Sequence, residues 1–266
     1  MYPEFTPSHR GGEGSPMVCV HGFTDTWRTW DLVLPALERR HEVLAPTLLG
    51  HAGGPPVSGA VSDELIVDAL EQAMDEAGFG TAHIVGNSLG GFLSFKLAAR
   101  GRARTVTALA PAGGWAVGDD SHRETMAYFR TMQEALRSAA PNAEALLATE
   151  EGRRSATQFS TVNFEHIPVE LLAHSMRGVV ACEGLSAFVE FALSEGWDLD
   201  AERVACPVRV VWGTADRLLP WPSAAARYRE DWLPNADWVV LDDVGHCPQL
   251  DVPLETAELI LGFAGG

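Results

Sequence analysis

Basic residues are scarce in this chain, and so are cysteines. Against 36 aspartates and glutamates stand 19 lysines and arginines, for a net charge of −17, and a surface of that sign repels polyphosphate and anionic lipid at long range. Nucleic acid and membrane are therefore excluded as expected partners, which leaves a small-molecule substrate. The four cysteines, Cys19, Cys182, Cys206 and Cys247, form neither a C-x-x-C nor a paired metal spacing. That excludes a disulfide framework and a structural zinc site and predicts free thiols. No run approaches the roughly 18 apolar residues needed to span a bilayer, and the opening "MYPEFTPSHRGGEGSP" lacks a basic stretch followed by an apolar one. The protein is read as cytoplasmic, with neither cofactor nor metal expected. Charged residues make up 21% against 46% hydrophobic, a balance that excludes long disorder and leaves a globular chain with a large core.

What is present is alternation. Apolar runs at 17–20 ("MVCV"), 41–46 ("HEVLAP"), 82–86 ("AHIVG") and 105–111 ("TVTALAP") are separated by helical patterns around Trp30 to Arg39, Ser62 to Ala77 and Leu89 to Ala99. The pattern resumes with "VRVVWG" at 208–213, a helix near Ser223 to Asp231, "DWVVLD" at 237–242 and a last helix from Leu254 to Phe263. Strands alternating with helices predict βαβ units and a mostly parallel sheet. Between Trp115 and Arg203 no buried strand is visible, and "SHRETMAYFRTMQEALRSAA" and "VELLAHSMRGVVACEGLSAFVEFAL" read as helices with mixed faces. The expected organisation is a core of residues 1–114 and 204–266 with a helical insertion, 115–203. The insertion leaves from the carboxyl end of a strand, the side of an open α/β sheet where ligands bind.

One serine stands out. In "AHIVGNSLGGFLSFKLAAR" an apolar strand turns into a helix around Gly86-Asn87-Ser88-Leu89-Gly90, a place where a serine can be held strained with its hydroxyl exposed. A serine hydroxyl becomes a useful nucleophile only when a base takes its proton and a third group fixes that base. His246, in "DDVGHCPQL", follows one strand, and Asp216, in "GTADRLLP", follows the strand before it. Loops at the carboxyl ends of neighbouring parallel strands can meet the serine turn at one edge. Asp242 and Asp243 are rivals for the acid because they lie nearer His246 in the chain. In "VCVHGFTDTW" Gly22 lets the backbone turn so that Phe23 N–H can join Leu89 N–H in facing an acyl oxygen.

The ordered set "HGF", "GNSLGG", "GTADRLLP" and "GHCPQLDVP" resembles the α/β-hydrolase fold superfamily, whose nucleophile, acid and histidine follow that order. The resemblance runs from Pro16 to Phe263. It implies an α/β fold with a mostly parallel central sheet flanked by helices and a helical cap inserted after the sixth strand. It also implies Ser88 as nucleophile, Asp216 as acid, His246 as base, and the Phe23 and Leu89 amides as oxyanion donors. Haloalkane dehalogenases and epoxide hydrolases of this fold carry aspartate at the nucleophile position, so Ser88 disfavours both activities. Two departures affect only local structure: few residues precede "MVCV", less than the family's usual opening hairpin, and Thr47 stands where many relatives carry an aspartate. The "GNSLGG" form is similar to meta-cleavage-product hydrolases, which break a carbon–carbon bond in a vinylogous diketone. Those enzymes usually carry a tryptophan after the histidine and a cap arginine for the substrate carboxylate; here the residue is Cys247, and Arg153, Arg154 and Arg177 are the arginines available. The expected activity is therefore hydrolysis of a small carboxylic ester, with carbon–carbon hydrolysis and ligand binding without turnover as the alternatives.

Overall fold

The computed structural model describes residues 4–57, 59–194 and 197–265. Seven strands form one sheet in the order β1-β3-β2-β4-β5-β6-β7. They are β1 (Ser8–Gly11), β2 (Ser15–Val20), β3 (His41–Pro46), β4 (Ala82–Asn87), β5 (Ala103–Leu109), β6 (Val208–Gly213) and β7 (Asp237–Leu241). Only β1 runs antiparallel to its neighbour. The chain goes outward from β2 to β3 and then crosses back to β4 on the other side of β2, so the strand order reverses between β2 and β4. In open α/β sheets the ligand crevice lies at such a reversal, beyond the carboxyl ends of the strands.

The inner strands read as unbroken apolar runs because both faces are covered. Val18, Val20 and Ile84 point into one buried cluster and Met17, Cys19 and Val85 into the opposite one, the alternation that a period of two requires. The helices of the core are a single turn α1 (Leu34–Leu37), α2 (Asp63–Glu76), α3 (Leu89–Ala99), and, after the insertion, α9 (Pro248–Asp251) and α10 (Pro253–Ala264). Ser62 caps α2 by accepting from Leu65 N, with Asp63 and Glu64 in its first turn, where acidic groups complement the helix dipole. α3 is buried on nearly all sides, which accounts for its almost wholly apolar sequence.

The insertion leaves the strand expected, "TVTALA". Along this chain that strand is the fifth rather than the sixth, because the opening segment supplies one four-residue strand, β1, before β2. The insertion holds α4 (His122–Ala139), α5 (Ala143–Leu147), α6 (Glu150–Thr157), α7 (Val169–Val180) and α8 (Leu185–Ser194). The stretch read as one helix from Val169 is broken at 181–184. Gly184 N–H donates to Gly50 O at 2.9 Å, and a side chain at Gly184 would lie 3.1 Å from Gly50 Cα. A close contact with a loop far away in sequence therefore ends α7. Two other expected helices shorten. Trp30–Arg39 becomes a 3-10 turn at Trp27–Trp30 plus α1, and Ser223–Asp231 becomes a 3-10 turn and a π turn ending at Trp232. No helix among the described residues is long and apolar enough to cross a membrane.

Candidate active site

The serine turn is shaped by close packing. A methyl carbon on Gly86 would stand 2.1 Å from Gly90 O, and one on Gly90 2.1 Å from Val20 O, so neither position accepts any other residue without moving backbone. Between them Ser88 sits at φ 56° and ψ −119°, a conformation costing on the order of 1–3 kcal/mol for a residue with a side chain. The surroundings hold it there: Ser88 N donates to Leu109 O at 2.9 Å, and Ser88 O accepts from Ala112 N at 3.0 Å. Such strain persists only where neighbours over-determine it.

Asn87 ties this turn to the loop after β7. Its Nδ2 donates to Leu109 O at 3.1 Å and to His246 O at 3.0 Å, and its Oδ1 accepts from Gln249 Nε2 at 3.1 Å. His246 lies in the same pocket lining as Ser88. Its Nδ1 is 2.8 Å from Asp216 Oδ2, while Asp216 Oδ1 accepts from Leu218 N at 2.9 Å and Leu219 N at 2.7 Å. Both side chains are almost fully buried. With its Nδ1 proton directed at Asp216, the imidazole presents a bare Nε2, which has no hydrogen-bond partner among the described residues. The rivals lie elsewhere: Asp242 accepts from Thr214 Oγ1 at 3.0 Å, Asp243 N donates to the same hydroxyl, and both aspartates are exposed.

Opposite the serine, the chain leaves β2 in a turn closed by Asp25 N to Gly22 O at 3.3 Å, with Thr24 at φ 67°. His21 braces this turn: Nδ1 donates to Gly22 O at 2.7 Å and Nε2 accepts from Leu48 N at 2.9 Å. The pairing fixes one neutral tautomer, and burial holds the imidazole well below its ordinary pKa. A side chain at Gly22 would come within 3.2 Å of Ser88 Cβ, so the two turns touch. Neither Phe23 N–H nor Leu89 N–H donates to a turn, loop or side-chain acceptor among the described residues. Thr47 uses its hydroxyl locally, donating to Thr6 O at 3.0 Å.

Two recesses meet at Ser88. The larger, about 150 Å³, is lined by Ser88 and His246 below and by Tyr128, Phe159 and Met176 from the insertion. The smaller, about 30 Å³, is apolar and adds Leu89, Trp115, Phe191 and Trp197. No lysine or arginine among the described residues lines either one. Arg153 reaches Glu165 O, Arg154 pairs with Glu150 at 2.5 Å on the surface, and Arg177 pairs with Glu144 at 2.7 Å. Cys247 is buried beside Asn87, and burial pushes its thiol well above the ordinary range.

Three residues that sequence reading passed over organise this edge. Asp251, in "QLDVP", accepts from Gly245 N at 2.6 Å, Val162 N at 2.9 Å, Asn163 N at 2.7 Å and Asn163 Nδ2 at 2.8 Å. It joins the His246 loop to the insertion. Replacing it with alanine leaves several buried donors without an acceptor and is expected to cost on the order of 3 kcal/mol. Thermal unfolding should show a Tm lower by about 5 °C or more; a shift within 1 °C would mean that these bonds carry little stability. Gln249 Nε2 bridges Asn87 to Thr29 Oγ1 at 3.0 Å. Asp25 lines the larger recess, and burial pushes its carboxyl up to about 6 despite hydrogen bonds from Thr26 N–H and the Thr29 and Ser175 hydroxyls. The folded chain thus binds this proton more tightly than the unfolded chain does. The contribution of Asp25 to stability falls as pH rises from about 4 to about 6. A single residue position in each of "HGFTD" and "QLDVP" offers no periodic signal by which these acids could have been found.

A family model described as "Alpha/beta hydrolase family" matches residues 17–259. The chain belongs to that family and is a hydrolase of α/β-hydrolase fold. It is 34% identical over 204 residues to the epoxide hydrolase EphH of Mycobacterium tuberculosis, covering 76% of this chain and 95% of that protein. It is also 28% identical over 270 residues to a pimeloyl-[acyl-carrier protein] methyl ester esterase of Aromatoleum aromaticum, covering 92% and 96%. Among solved structures, the enol-lactonase of Burkholderia xenovorans superposes with a TM-score of 0.76 at 20% identity over 97% of this chain and 96% of that one, a likeness of fold.

Proposed function

We propose that this protein hydrolyses small carboxylic esters through an acyl-enzyme, with Ser88 as nucleophile, His246 as base, Asp216 as its orienting acid and residues 115–203 as the cap over the pocket. The observation that carries the reading is the strained serine facing a recess shared with a buried His246–Asp216 pair. Ser88 Oγ attacks the ester carbonyl and passes its proton to His246 Nε2. The imidazolium that forms is stabilised by Asp216. The carbonyl oxygen becomes an oxyanion and accepts from Phe23 N–H and Leu89 N–H, each donor being worth on the order of 3 kcal/mol in the transition state. Collapse of the tetrahedral adduct expels the alcohol, which takes the proton back from His246. Water, deprotonated by the same nitrogen, then attacks the acyl-serine and releases the acid.

Epoxide opening, named for the relative from Mycobacterium tuberculosis, fits Ser88 poorly on chemical grounds. Attack of an alkoxide on an epoxide carbon leaves an ether on the serine. An ether has no carbonyl for water to attack, so the enzyme would be consumed in one turnover. A carbon–carbon substrate with a carboxylate fits no better. Burying that charge costs several kcal/mol unless donors meet it, and no lysine or arginine among the described residues lines the recesses. Short p-nitrophenyl esters are therefore expected to be hydrolysed with kcat/KM at least roughly tenfold above that for a hydroxy-oxo-hexadienoate, a conservative figure against that burial cost. One preparation assayed on both classes, with Ser88→Ala as background, checks this. A better rate on the dienoate would overturn the ester reading.

A further inference from the structure

We infer that the larger recess over Ser88 binds a positively charged amine or quaternary ammonium group, recognised by the Asp25 carboxylate and the aromatic side chains around it, so that the ester substrate carries a cation in its alcohol portion. The inference rests on the ester reading above and names the substrate class of that site. Among the described residues, Asp25 is the only Asp or Glu lining either recess, and no lysine or arginine joins it there. It forms no ion pair among the described residues: its partners are Thr26 N–H at 2.8 Å and the Thr29 and Ser175 hydroxyls. A carboxylate offers roughly four lone-pair sites, so three neutral donors leave acceptor capacity, and no positive group among the described residues pairs with the charge.

Phe23, Tyr128, Phe129 and Phe159 line the same recess. Tyr128 and Phe159 have ring centroids 4.6 Å apart, and Phe23 and Phe129 4.8 Å. Aromatic faces attract cations through their quadrupole, more strongly when the site is desolvated. Phe159 already meets one cation, the Arg217 guanidinium carbon, 5.2 Å from its centroid, and Arg217 does not itself line the recess. An anion or a neutral alkyl group gains nothing from Asp25, whereas a cation neutralises a charge that is otherwise buried unpaired. The overall charge of −17 adds a long-range field that concentrates cations near the mouth.

The test compares two acetates of matched shape: the ester of trimethylammonioethanol and its carbon isostere, in which tert-butyl replaces trimethylammonium. Wild-type protein is expected to favour the cation in kcat/KM by at least about tenfold, the scale of one desolvated cation–π contact, and Asp25→Asn should lower that ratio severalfold, leaving only what the aromatic rings supply. Equal rates in the wild type, or a ratio unchanged by Asp25→Asn, would overturn the inference. Binding is measured separately from turnover by calorimetric titration of Ser88→Ala with butyltrimethylammonium and with its neutral isostere. The cation should bind at least about tenfold more tightly; equal affinity, or no binding of either, overturns the inference even if Asp25→Asn fails to fold. Should Ser88→Ala bind the cation while the wild type hydrolyses no ester, the ester reading fails and the cation site stands.

Discussion

Ser88→Ala is expected to lower kcat for a short p-nitrophenyl ester by at least about 10⁴-fold and to abolish labelling by a fluorophosphonate, which should otherwise add once per chain. In the mechanism proposed above nucleophile, base and acid act as a unit, so removing the first of them removes nearly all that the three achieve together. On the proposed mechanism, the oxyanion donors that remain accelerate only the attack of water from solution. Labelling that persists in Ser88→Ala would sink the assignment.

The same position supplies a second readout, independent of activity. Because Ser88 is held at φ 56°, alanine inherits its strain and should leave Tm nearly unchanged. Glycine has no Cβ to clash and is expected to relieve on the order of 1 kcal/mol, unfolding at a slightly higher temperature than wild type while being equally inactive. A strained residue whose relaxation stabilises the fold and destroys turnover is one held for chemistry. If Ser88→Gly instead destabilises the protein, the turn is set by something other than backbone strain.

Much of this architecture is legible in the sequence because the relevant signal is local. The inner strands are covered on both faces, so Ile84 and Val85 are both apolar although they point into opposite clusters, and the run stands out without any alternation. That Ser88, Asp216 and His246 lie at one edge is legible for a different reason: each follows a strand, and parallel strands of one sheet deliver their following loops to one edge. What escapes is whatever depends on contacts between distant segments. The break after Val180 comes from Gly50 pressing on Gly184, and nothing in "VVACEGLS" announces it. Tyr228, whose hydroxyl donates to Ala112 O at 2.6 Å, anchors the segment read as a regular helix from Ser223, which closes there as short turns. Asp251 and Asp25 act across the boundary between sheet and insertion, on Val162 and Ser175 respectively. Partners that far apart leave no spacing to read. The aromatic lining contributed by Tyr128 and Phe129 of α4 was hidden because on a helix with mixed faces an aromatic that packs and one that faces a ligand look alike, and Phe159 lies in the turn after α6.

Asp216→Asn is expected to reduce kcat by about 10³- to 10⁴-fold with little loss of stability, and the reason lies in how the carboxylate is held. Oδ1 accepts from Leu218 N and Leu219 N, while Oδ2 faces His246 Nδ1. An asparagine in the same orientation must keep its oxygen toward the two amides, since turning its NH2 group to them would set donor against donor. Its NH2 group therefore faces Nδ1 and donates to it, which forces the imidazole proton onto Nε2, the nitrogen that in the proposed mechanism receives the proton of Ser88. The base is then present, correctly placed and in the wrong tautomer. Asp216→Ala differs in kind: it frees the tautomer but strands two backbone donors, so it should cost both activity and about 1–3 kcal/mol of stability for each donor left unpaired. Asp242→Asn and Asp243→Asn change exposed side chains that form no hydrogen bond to His246 among the described residues, and should keep kcat within about threefold, since neither touches the charge or the tautomer of the base. Kinetics on the four variants, with Tm measured alongside, separates these cases. If Asp243→Asn proves more damaging than Asp216→Asn, the acid has been misassigned and the buried 2.8 Å pair is structural.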